Sequence, residues 1–168
     1  KNADWYISPL LRARQTADLL MADLVPRSVI FDERLVEMNF GDWHDKPLAE
    51  VWAEIADAPR HNWSFIMPHT QPPGGESFIA LCKRIARWLD DKVAQPVTNP
   101  QIIITHAGVI SAVLSHILGI SPQRAIGVAV ANFSVLQTSL MATGRAKDSG
   151  GPWQLVSCLL YTSDAADE

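Results

Sequence analysis

Three residues stand where an anion or a proton could be handled: Arg12, Glu37 and His106. Arg12 follows Ser8-Pro9, a cap-plus-proline helix start, so it falls in a first helical turn, where a cation meets the positive end of the helix dipole. That unfavourable placement is explained if an anion sits there; the plain alternative is an arginine in a solvated turn. His106 ends an apolar strand and is followed by Ala107 and Gly108, which leave a ligand room to approach the backbone. Its alternative is a structural histidine with satisfied partners. Glu37 lies among Leu35, Val36, Met38 and Phe40, and apolar surroundings raise a carboxyl's affinity for its proton towards that of a general acid. The alternative is an ordinary loop carboxylate. His44, His61, His69 and His116 show no metal-ligand spacing, and no G-K-[ST] follows Gly74-Gly75, so neither a metal centre nor a nucleotide loop is expected, and no cofactor is implied.

The elements that must position these residues follow from periodicity and punctuation. Trp5 to Ile7 reads as a strand, and the helix after Ser8-Pro9 should bury Ala13, Ala17, Leu20 and Leu24 before Pro26 ends it. Val29 to Phe31 reads as a second strand, Leu35 to Trp43 as a loop, and Leu48, Val51, Trp52 and Ile55 as one face of a short helix. The breaker-rich run 59–75 is a candidate lid. A helix near Glu76 should turn Phe78, Leu81, Ile85, Trp88 and Leu89 to the core, with Lys83, Arg87 and Asp90 in water. Ile102 to Thr105 reads as a buried strand, and the helix after the turn at 106–108 should bury Ile110, Val113, Leu114 and Ile117 and stop at Gly119. Ser121-Pro122 repeats the helix start, and Ser134 to Leu140 and Trp153 to Val156 read as strands. Alternating strands and helices predict an α/β domain, a three-layer α/β/α sandwich around a mainly parallel sheet. Arg12 and His106 then meet beyond the carboxyl ends of two strands, where open α/β sheets hold ligands.

Composition sets the outer bounds. The 168 residues are 48% hydrophobic and 19% charged with a formal net charge of −4, which fits one globular domain and argues against disorder or a basic nucleic-acid-binding surface. Cys82 and Cys158 are too few for a disulfide framework, so a cytoplasmic, reducing compartment is the expectation. The apolar stretch 102–120 carries Thr105, His106, Ser111, Ser115 and His116, a soluble strand, turn and helix rather than a membrane span.

Four segments, in order, resemble the motifs of the histidine phosphatase superfamily, the phosphoglycerate-mutase-like fold. Ser8-Pro9-Leu10-Leu11-Arg12-Ala13-Arg14-Gln15-Thr16-Ala17 resembles S-x-L-x-R-A-x-Q-T-A, and Leu35-Val36-Glu37-Met38-Asn39-Phe40-Gly41-Asp42-Trp43 resembles L-x-E-x-x-F-G-x-W. Pro73-Gly74-Gly75-Glu76-Ser77 with Arg84 resembles P-G-G-E-S and its arginine, and Thr105-His106-Ala107-Gly108 resembles the second-histidine motif. The wording around Glu37 is most similar to the α-ribazole phosphatases of cobalamin synthesis; the mutase branch usually has E-R-x-Y-G, whereas Met38 follows Glu37 here. The resemblance implies hydrolysis of a small phosphorylated metabolite through a phosphohistidine, without metal. It implies a phosphate clamp at Arg12, a charge stabiliser at His106 with substrate also at Ala107, and a proton donor to the leaving group at Glu37. The loop from Arg60 to Pro73 would select the rest of the substrate, and Arg84 would be a structural ion-pair partner.

The Arg-His-Gly of the family's nucleophile occurs nowhere in the chain. The expectation is therefore a histidine phosphatase domain at 1–157 lacking its N-terminal strand and nucleophile loop, with the enzyme implied for the family and the fragment itself inactive. The other class left open is a shortened, non-catalytic relative that binds phosphorylated metabolites or a protein partner. Residues 158–168, small and acidic, resemble translated adapter sequence.

Overall fold

The computed structural model describes residues 3–95, 98–141 and 151–159. Strand β1 (Asp4–Ile7) is the centre of a three-stranded parallel sheet, paired with β2 (Ser28–Phe31) on one side and β3 (Gln101–Ile104) on the other. Because successive side chains on a strand point to opposite faces, Trp5 and Ile7 form one packing surface and Tyr6 the other. Trp5 and Ile7 pack with Ala13 and Ala17 of helix α1 (Leu11–Met21) and with Ile104. On the opposite face the Tyr6 ring meets Trp88 edge-on, with centroids 5.9 Å apart. Trp88 belongs to helix α3 (Phe78–Ala94), which lies beyond the short α2 (Leu48–Glu54) in the chain. Helix α4 (Ala107–Leu118) packs on α3, and α5 (Pro122–Ala125) follows it. The layers are thus helix, sheet, helix, as the alternation of elements predicts. An antiparallel pair, β4 (Val135–Leu140) with β5 (Trp153–Leu159), forms a second sheet.

The larger core is the helical one. Leu81 and Ile85 of α3 are fully buried with Phe78, Leu89, Leu35, Ile66, Val109 and Ala112. Burying each of the large side chains contributes about 1.5–3 kcal/mol. Ser77 caps α3, its hydroxyl accepting from the Ala80 amide at 3.2 Å, so the helix opens just after Glu76 and leaves that carboxylate for another use.

Several expectations are corrected. Helix α1 begins at Leu11 rather than Pro9: the Ser8 amide donates to the Ile104 carbonyl at 2.9 Å and continues the β1·β3 ladder, while its hydroxyl accepts from the Leu10 amide at 3.4 Å. Leu20 and Leu24 are 43% and 47% exposed, so only Ala13 and Ala17 of the proposed stripe are buried. The strand that should have been buried has Ile103 exposed, since β3 lies at the end of this sheet among the described residues. Helix α4 is rotated from the expected face: Val109, Ser111, Ala112, Leu114 and Ser115 are buried and Ile110, Val113 and Ile117 only half-buried, small residues taking the close side. Strand β5 runs past the expected end at Val156 through Cys158 and Leu159, pairing them with Leu136 and Val135; residues 160–168 lie outside the described part. Gly119 ends α4 in the left-handed conformation, and the solvent-facing positions of α3 are as expected.

Candidate functional site

Ile7 and Ile104 are register partners, so β1 and β3 end level and deliver Ser8 and Thr105-His106 to the same edge of the sheet. Arg12, the second residue of α1, reaches back to that edge: its Nε donates to His106 Nδ1 at 3.2 Å. An Nδ1 that accepts carries no proton, so the ring's hydrogen is on Nε2, which faces the Ser8 hydroxyl at 2.7 Å. His106 is therefore a neutral imidazole of defined tautomer. Burial, together with the positive charges of Arg12 and then Arg84, pulls its pKa down from 6.5 to about 4.

Glu37 approaches from the loop between the short helical turns at Glu33–Leu35 and Gly41–Trp43. One carboxylate oxygen accepts from the Met38 amide at 2.9 Å and the other from the Gly108 amide at 3.2 Å. Gly108 is the second residue of α4, and its N–H has no acceptor within the helix, so the carboxylate takes a place at the positive end of the dipole. Only glycine permits this approach, because a Cβ at 108 would overlap the Glu37 Oε1 atom. The apolar socket expected for Glu37 is not what the structure holds: Leu35 and Met38 turn into the core while the carboxylate between them meets backbone amides. Ala107, the first residue of α4, is exposed beside it.

The loop bearing Glu37 is fastened by side chains, since it belongs to no sheet. Thr105 Oγ1 donates to the Leu35 carbonyl at 2.7 Å, and Arg84 Nη1 donates to the carbonyls of Arg34 and Val36 at 2.6 and 3.0 Å. Three consecutive carbonyls are thus all taken. Gly41, with φ of +51°, lies directly against the backbone of Pro73 and Gly75, and the Asp42 amide donates to the Pro73 carbonyl at 2.8 Å. The second and third sequence motifs therefore form one unit.

Of the proposed lid, Ile66, Pro68 and Pro72 are buried and structural. His61 Nε2 contacts the Gln123 carbonyl at 2.8 Å, while Trp63 is exposed and the Phe65 ring stacks on Phe40 with centroids 5.8 Å apart. An open pocket of about 250 Å³ is lined by both rings of this stack together with Trp43, Lys46 and Leu48; none of Arg12, Glu37 or His106 lines it. Strand and helix order alone placed Arg12 and His106 at this end of the molecule, and Glu37 and Ala107 were added by the family resemblance; Ser8 was missed, because its Ser-Pro context is a local capping signal that hides its long-range role. Among the described residues no group of three His, Cys, Asp or Glu side chains could hold a metal ion, and no helix is long and apolar enough to cross a membrane.

The sequence profile of the histidine phosphatase superfamily, branch 1, matches residues 1–147. Over 115 residues the chain is 32% identical to the adenosylcobalamin/alpha-ribazole phosphatase of Salmonella typhimurium, covering 66% of this chain and 54% of that protein. It thus spans about half the length of that relative. Among solved structures, Bacillus stearothermophilus YhfR is similar with a TM-score of 0.75 at 23% identity, over 93% of this chain and 73% of that one. A mycobacterial glucosyl-3-phosphoglycerate phosphatase in complex with inorganic phosphate has a TM-score of 0.70 at 24% identity, over 94% and 76%. At these identities the structural likeness is one of fold.

Proposed function

Because the chain belongs to the histidine phosphatase superfamily, branch 1, we propose that Arg12, Glu37, His106 and the α4 start at Ala107 form the phosphoryl-binding part of a phosphomonoester hydrolase that works through a phosphohistidine. The observation that carries this reading is the 3.2 Å contact between Arg12 and His106 over the level ends of β1 and β3. A phosphoryl group entering there takes the guanidinium fork of Arg12, whose planar donors match its oxygens. In the first step the bond from phosphorus to the nucleophilic nitrogen forms as the bond to the leaving oxygen breaks, and Glu37 gives that oxygen its proton. In the second step water attacks phosphorus, Glu37 takes the water's proton, and the phosphorus–nitrogen bond breaks. Since the chain contains no Arg-His-Gly, we assign the nucleophile to a residue outside these 168. The substrate class is a small phosphorylated metabolite, α-ribazole phosphate or a similar compound, with the segment from Arg60 to Pro73 selecting its leaving group.

The test is titration of the chain with inorganic phosphate and vanadate, followed by NMR. Saturable binding that weakens at least tenfold in both Arg12→Met and His106→Gln supports the reading; equal binding by the variants defeats it. The absence of Arg-His-Gly also favours a second reading, a non-catalytic binder of phosphorylated metabolites. Coding sequence upstream that supplies a strand and Arg-His-Gly selects the enzyme, and a start codon directly before Lys1 selects the binder.

A further inference from the structure

Arg84 and Glu76 lie outside the phosphoryl-binding residues, yet their hydrogen bonds converge on both flanks of Glu37. On the N-terminal flank, Arg84 Nη1 holds the carbonyls of Arg34 and Val36 at 2.6 and 3.0 Å. Its Nη2 donates to Glu76 Oε1 at 2.6 Å. On the C-terminal flank the same Oε1 accepts from the Asn39 amide at 3.1 Å, and the Glu76 amide donates to the Asn39 carbonyl at 2.8 Å. The segment 36–39 is therefore gripped at residues 36 and 39 by one ion pair, and Glu37 is suspended between the two grips. Arg84 and Glu76 are each about one-fifth exposed, so the pair is partly shielded from solvent. A simple ion pair would need one donor and one acceptor. This guanidinium instead spends its donors on two backbone carbonyls and a carboxylate, a three-point geometry that a lysine's single nitrogen cannot match.

We infer that Arg84 and Glu76 are positioning residues for Glu37: they fix the loop so that its carboxylate lies against the first turn of α4, beside His106. The inference rests on the proposed role of Glu37 in proton transfer, but its geometry can be tested independently of phosphate binding. The Gly108 amide has no helical acceptor and takes Glu37 as its partner, so its protection from hydrogen exchange reports the seat of Glu37 alone.

The experiment measures amide exchange by NMR on the whole 168-residue chain, using the Leu114 amide in the body of α4 to correct for global opening. Glu37→Ala first establishes the reporter, with Gly108 expected to exchange about tenfold faster. Arg84→Met is expected to accelerate Gly108 and Met38 to a similar extent, and Arg84→Lys is expected to recover less than half of the protection. The core truncation Val51→Ala, its loss of stability measured alongside by urea unfolding, is expected to leave both amides within twofold after correction. If Arg84→Met does not fold, Glu76→Gln is read in the same way, with about a threefold acceleration expected. The inference is overturned if Glu37→Ala leaves Gly108 unchanged, if the folded Arg84 or Glu76 variant stays within twofold of the parent, or if Val51→Ala accelerates the two amides equally. Loss of phosphate binding alone would remove the proposed function and leave this result standing.

Discussion

Arg12 Nε and His106 Nδ1 are hydrogen-bonded to each other at 3.2 Å, although both are expected to hold the same phosphoryl group. The donor is a permanent cation and the acceptor is the bare nitrogen of a neutral ring, so the contact uses only the Nε of the guanidinium and leaves Nδ1 with no proton to offer an anion. On the proposed reading, a phosphoryl oxygen at Nδ1 requires that nitrogen to gain a proton, which would make binding proton-linked.

We predict that phosphate or vanadate raises the pKa of His106 from about 4. A bound anion then faces the ring together with the Arg12 charge and favours the imidazolium, and Nδ1 gains a proton to donate to a phosphoryl oxygen. The His106 ring carbon and proton shifts, followed against pH with and without phosphate, check this. An unchanged titration midpoint under saturating phosphate would place the anion elsewhere.

A second prediction concerns stability. The unfolded chain takes up the His106 proton near pH 6.5 and the folded chain only near pH 4. Between those values the unfolded state binds more protons, so the contribution is complete above 6.5 and is lost as pH falls towards 4. It amounts to about 1–3 kcal/mol. Urea unfolding across this window should show the decline in the parent chain and a flatter profile in His106→Gln, which cannot titrate.

Gly108→Ala should separate fold from function. Alanine favours a helix over glycine by about 1 kcal/mol, and the atom it meets is the tip of the Glu37 side chain, which can swing away. The variant is expected to melt within a few degrees of the parent. In a chain carrying an Arg-His-Gly segment, it should lose at least tenfold in turnover of poor leaving groups and less for good ones. A large drop in melting temperature would show that the packing at Leu81, not the carboxylate, is what the glycine protects.

The 168-residue chain itself is predicted not to hydrolyse an aryl phosphate. Turnover above the buffer rate that disappears in His106→Ala would show that a residue within the chain attacks phosphorus.

The chemistry was more legible in the sequence than the packing that serves it. Arg12 and His106 could be brought together because each follows a short apolar strand and parallel strands end on one side of a sheet. The role of Ser8 could not be read, since Ser-Pro is a strong local capping signal and its contacts with Ile104 and His106 are made with residues far along the chain. The buried face of α4 was misjudged because hydrophobicity favoured Ile110, Val113 and Ile117, whereas close packing on α3 selects the small Ser111, Ala112 and Ser115. Arg84 read as an ion-pair partner and is one, but its backbone carbonyl acceptors leave no trace in residue types.

The register that pairs Ile7 with Ile104 also bears on when the site comes into being. No single short segment holds the whole of it: Ser8 and Arg12 come from one stretch of the chain, and their partner His106 follows only after α1, α2 and α3. Joining such distant strands carries a large loop-closure entropy and is slow relative to local helix formation. During folding the imidazole should therefore lose its exposure to solvent protons in the last, sheet-closing phase, making its titration a clock for completion of the sheet.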